Sequence, residues 1–83
     1  NITEFGKTPL FGCEDLSQSG VNMVLYPLSA FRAMSKAAEE VFKEIKKSDN
    51  QESLIKNMQT RDELYDVLDY HSFENKLDEL FKN

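Results

Sequence analysis

The sequence predicts an α/β fold that is mostly helical and forms part of a larger structure. Three observations predict it. All three glycines and both prolines fall within the first 27 residues. Turns and short extended segments therefore come first, and breaker-free helix follows. After Ser29, apolar residues recur at helical spacing. Finally, 83 residues are few for a self-sufficient domain, since a chain this short buries only roughly 60% of its unfolded surface. Cys13 is the one cysteine and His71 the one histidine, so neither an internal disulfide nor a His/Cys zinc cluster can staple it. Association with other polypeptide is the remaining source of stability.

Asn1 to Phe5 reads as the end of a strand, and Gly6-Lys7-Thr8-Pro9 as a turn. Cys13 to Ser19 forms a short helix that Gly20 is placed to stop. Val21 to Tyr26 is apolar and rich in strand formers, as a strand covered on both faces should be. Pro27 ends it. Ser29 is a good N-cap for a long helix with one apolar stripe: Phe31, Met34, Ala38, Val41, Phe42 and Ile45. The spacing carries this helix to about Lys47, where Lys46 and Lys47 suit its negative end.

Ser48-Asp49-Asn50 is a break. Glu52 to Met58 reads as a short helix. Thr60 and Glu63 make a capping-box pattern for the next, with Leu64, Tyr65 and Leu68 on its apolar face. A last helix is predicted from Ser72, with Phe73, Leu77, Leu80 and Phe81 as its stripe. Strand, helix, strand with short connections predicts a parallel pair with a right-handed crossover. Two strands do not make a stable sheet, so they read as the closing units of a larger α/β structure. The chain also starts inside a strand and without methionine, which reads as truncation. Residues 1–28, 29–47 and 48–83 are thus three segments and no complete domain.

A net charge of −5 argues against nucleic-acid binding, because phosphate backbones repel an acidic chain. There is no basic block for an anionic membrane. No apolar run approaches the ~20 residues that span a bilayer, and the first residues lack signal-peptide character. The lone cysteine suits a reducing, cytoplasmic setting.

Arg32 and Arg61 stand out against eight lysines. Both fall in the first turn of a predicted helix, where a cation opposes the dipole unless something negative is near. There a guanidinium fork and free backbone N–H groups can converge on a carboxylate or phosphate. The plainer reading pairs each arginine with an acid, such as Asp62 or Glu63 beside Arg61. Asn1 and Thr3 flank Ile2 and point to one face of a strand, fit to hydrogen-bond a ligand. By pattern alone, strand-end capping explains them better. Glu4 has no visible partner and reads as solvated. Cys13 has acidic neighbours Glu14 and Asp15, which disfavour a thiolate. His71 reads as a helix-boundary residue. The seven acids between Asp62 and Asn83 form a solvated face without a calcium loop.

Three blocks carry a resemblance. Asn1-Ile2-Thr3-Glu4-Phe5-Gly6 with Thr8-Pro9-Leu10-Phe11 is similar to the seventh strand and following loop of 2-methylisocitrate lyases. Tyr26-Pro27-Leu28-Ser29-Ala30-Phe31-Arg32-Ala33-Met34 resembles their eighth strand and the start of the eighth helix. Met58-Gln59-Thr60-Arg61-Asp62-Glu63-Leu64-Tyr65 resembles the segment beyond. The resemblance implies the C-terminal fragment of a (β/α)8 barrel: its last two strand-helix units, a long helix swapped between subunits, and C-terminal helices. It further implies a cytoplasmic homotetramer that cleaves 2-methylisocitrate to pyruvate and succinate in propionate catabolism. The Mg2+ ligands and the catalytic cysteine of such enzymes would lie upstream, since neither Cys13 nor His71 matches their motif. Matched by motif, the substrate contacts are Asn1, Ile2, Thr3, Arg32 and Arg61, with no catalytic or metal-binding residue in this chain. The chain alone is then expected to be inactive. Related superfamily enzymes (isocitrate lyase, oxaloacetate decarboxylase, phosphonate mutase) are the near alternatives. A free-standing helical interaction module is the alternative from another class.

Overall fold

The computed structural model describes residues 1–82 and contains four α-helices and one 3₁₀ segment. The helices are α1 (Cys13–Gln18), α2 (Ser29–Ser48), α3 (Arg61–Leu68) and α4 (Tyr70–Leu80), with the 3₁₀ segment at Glu52–Asn57. They fall into two units, Asn1–Gln51 and the chain from Glu52 onward.

In the first unit α1 ends as its glycine predicts. Gly20 adopts φ 92°, its N–H bonds Ser17 O at 3.0 Å, and the Val21 N–H bonds Leu16 O at 3.0 Å. These are the paired bonds of a Schellman turn, which needs a left-handed residue at that position. α2 spans 20 residues, about 30 Å. Its far end closes on Asp49, left-handed at φ 64°, whose N–H bonds Ile45 O.

Two expectations are corrected here. Among the described residues there is no strand, although two were predicted at Asn1–Phe5 and Val21–Tyr26. The segments meet through the Ile2 N–H to Leu25 O bond of 2.8 Å. A lone backbone bond does not build a ladder, and extended segments without flanking strands have nothing to pair with. The chain by itself is therefore mostly helical, as expected of it in isolation. Second, Ser29 does not cap α2. Leu28 takes that position without a side-chain bond, because the Ser29 hydroxyl donates instead to the Glu4 carboxylate, a stronger, charged acceptor.

In the second unit Thr60 caps α3, its Oγ1 accepting the Glu63 N–H at 3.1 Å. Asp69 ends α3 and begins α4 in a left-handed conformation, φ 53°. That conformation is tolerated by a short acidic side chain. It lets α4 start at Tyr70, two residues before the predicted Ser72. The Tyr65 and Tyr70 rings stack across this joint at 4.2 Å. His71 lies edge-on to both. No described residue in either unit is buried.

Candidate functional site

The candidate site in the first unit grows from the turn at residues 4–6. Phe5 is left-handed at φ 67°, an outlier for a bulky side chain. This conformation turns the Glu4 carbonyl and the Phe5 ring toward the first turn of α2. Arg32 Nη1 donates to Glu4 O at 3.0 Å and to Glu4 Oε2 at 3.3 Å. Its Cζ sits 5.3 Å from the Phe5 ring centroid, within cation–π range. Ser29 Oγ donates to the other oxygen, Oε1.

Glu4 is thus part-buried and doubly held, which corrects its reading as a solvated glutamate. The Ser29 hydrogen bond is the largest of the influences that hold its carboxyl below the usual glutamate value. A backbone hydrogen bond and Arg32, by hydrogen bond and charge, add to it, and partial burial opposes them. A carboxylate so held is unsuited to proton transfer near neutral pH.

Sequence reasoning singled out Arg32 as a cation wanting an anion, and Glu4 is an anion beside it. The partner was missed because it lies 28 residues away and reaches Arg32 only through the turn at Phe5. The alternation that placed Asn1 and Thr3 on one face was the available signal that Glu4 points elsewhere.

Ile2 and Thr3 are half-buried and Asn1 is exposed. The three line a cleft of about 60 Å³ with Gly6, Thr8, Pro9 and Leu10. That is well below the ~300–1,000 Å³ of ligand pockets. The structure thus brings Asn1–Thr3 beside the start of α2 through the Ile2–Leu25 bond and the Glu4–Arg32 pair. Arg61 belongs to the second unit, exposed as the first residue of α3. No ion pair joins it to Asp62 or Glu63 among the described residues, and Glu63 instead engages Thr60.

Cys13 Sγ lies 2.9 Å from the Tyr26 hydroxyl. This hydrogen bond, with some burial and an electrostatic contribution from Cys13, pushes the Tyr26 phenol up. His71 pairs at 3.9 Å with Glu74. No group of three His, Cys, Asp or Glu side chains that could hold a metal occurs among the described residues. No helix among them is long and apolar enough to cross a membrane.

No family model matches the chain. It is similar to 2-methylisocitrate lyases of known name. It is 60% identical to that of Vibrio cholerae over 81 residues, 98% of this chain and 26% of the relative. It is 53% identical to that of Salmonella typhimurium over 83 residues, 100% and 28%. It is 54% identical to that of Escherichia coli over 81 residues, 98% and 27%. The chain therefore spans about a quarter of the length of the curated relatives it matches.

Proposed function

We propose a function from the premise that this chain is homologous, over nearly its whole length, to the C-terminal portion of 2-methylisocitrate lyases. On this reading the parent protein is a carbon–carbon lyase that cleaves 2-methylisocitrate to pyruvate and succinate in propionate catabolism. This chain supplies part of the substrate site and of the subunit interface. The observation that carries the reading is 53–60% identity to proteins of that name across the chain.

Asn1 and Thr3 hydrogen-bond the substrate at the end of one barrel strand, and Ile2 contacts it. Arg32 and Arg61 hold its carboxylates, offsetting charge and fixing orientation. The (β/α)8 barrel would be completed by preceding polypeptide. Residues 1–28 would close it, 29–47 would be the subunit-swapped helix, and 48–83 the C-terminal helices of a cytoplasmic homotetramer. Pairing of the two extended segments into strands would follow once neighbouring strands supply their missing bonds.

Such lyases fit a metal cofactor. The proposed Mg2+ ligands belong to the preceding polypeptide; among the described residues no group of three His, Cys, Asp or Glu side chains could hold a metal. The metal would stabilise the enolate formed on cleavage.

The test is kinetic. In the full-length protein, Arg32→Ala and Arg61→Ala should each lower kcat/KM for 2-methylisocitrate by about 10²–10³-fold. Unchanged values for both would end the substrate-binding assignment.

A further inference from the structure

We propose that Glu4 is a positioning residue for Arg32, holding the guanidinium so that its Nε and Nη2 edge meets a substrate carboxylate. The inference rests on the substrate-binding reading of Arg32 given above and adds the group that orients it.

Arg32 Nη1 bonds both the Glu4 carbonyl oxygen and Oε2, which occupies the two hydrogens of that nitrogen. The guanidinium has five N–H donors. The remaining three, on Nε and Nη2, make no hydrogen bond among the described residues. Two of these, the Nε hydrogen and one on Nη2, form the side-on fork that fits a carboxylate with two parallel bonds. Phe5 covers one ring-like face of the guanidinium. Ser29 pins the far oxygen of the Glu4 carboxylate, so the tether cannot swing away. Arg32 is therefore held at one nitrogen and over one face, with the Nε–Nη2 edge open. An arginine held in this way loses little side-chain freedom on binding a ligand.

The left-handed Phe5 supports the same reading. A strained turn is what puts a carbonyl and a ring from adjacent residues onto one guanidinium. The opposing reading makes Glu4 a competitor that neutralises Arg32 and must be displaced. It predicts the opposite sign, with tighter substrate binding when Glu4 is removed.

The test is a double-mutant cycle in the full-length enzyme, reading kcat and KM for 2-methylisocitrate separately. Glu4→Ala should raise KM and lower kcat/KM by roughly 10- to 100-fold. Glu4→Gln keeps an acceptor oxygen and should recover part of that loss. Combined with Arg32→Ala, either substitution should add nothing further, because Glu4 acts through Arg32. The isosteric Glu4→Gln carries the cycle by itself where Glu4→Ala does not fold. Wild-type kinetics for Glu4→Ala, a lowered KM, or effects that multiply with Arg32→Ala would each overturn the proposal. An Arg32→Ala variant with unchanged kcat/KM would instead remove the substrate reading beneath it.

Discussion

At the scale of single residues, Glu4 makes the first unit sensitive to acid. Ser29, the backbone and Arg32 hold its carboxyl below the ordinary value, so folding favours the ionised form. The resulting stabilisation is complete above the unfolded value of about 4.3 and fades as pH falls through the lower folded value. A carboxyl NMR titration should show the Glu4 resonance moving below that of exposed glutamates. Glu4→Gln should remove the matching part of the acid dependence of unfolding. A Glu4 that titrates with the exposed glutamates would show that the Ser29 and Arg32 bonds are not held in solution. Arg32 was legible from the sequence because a cation in the first turn of a helix demands an anion. Which anion was not legible, since the answer depends on the left-handed turn at Phe5, and no local pattern marks that residue.

Among the elements, the helices were largely legible, whereas the two predicted strands are unpaired extended segments among the described residues. Helix is a local structure: each N–H finds its acceptor four residues back. Apolar spacing and Gly20 therefore sufficed to place α1 and α2. Ser29 was misread because its hydroxyl was claimed by Glu4, a contact outside the helix. Gly20 carries the prediction that belongs here. Its φ of 92° is strained for any L side chain, so Gly20→Ala should destabilise the turn by about 1–2 kcal/mol. Native-state hydrogen exchange should report it as lost protection at the Val21 amide, whose bond to Leu16 closes the motif. Unchanged protection would mean that the turn does not depend on the left-handed residue.

At the scale of the whole molecule, neither unit encloses a core among the described residues. Phe31, Met34 and Phe42 on the α2 stripe are 61%, 64% and 71% exposed. Burying one such side chain fully stabilises by about 1.5–3 kcal/mol. With about two thirds of each left in water, the three together forgo roughly 3–6 kcal/mol, a large share of the ~5–15 kcal/mol that stabilises a small domain. The proposed function explains this surface as one covered by the remainder of a barrel and by a second subunit. The 83-residue chain alone should then show high helix content, concentration-dependent association and no turnover of 2-methylisocitrate. Sedimentation velocity with circular dichroism, and a pyruvate assay, would check these points. A sharply melting monomer would favour a self-contained helical module, and measurable turnover would refute the assignment of catalysis to preceding polypeptide.

Composition, apolar period and punctuating glycines by themselves determined the helical content, the order of the helices, the poverty of core and the two arginines worth testing. All of these depend on interactions within a few residues of chain, or on none. Tertiary structure alone decided that Glu4 meets Arg32 and Ser29, that Leu28 begins α2, and that the two extended segments share a backbone bond without forming a sheet. Each of these is settled by groups distant in sequence competing for the same hydrogen bond, and the winner depends on where the turn at Phe5 carries the chain.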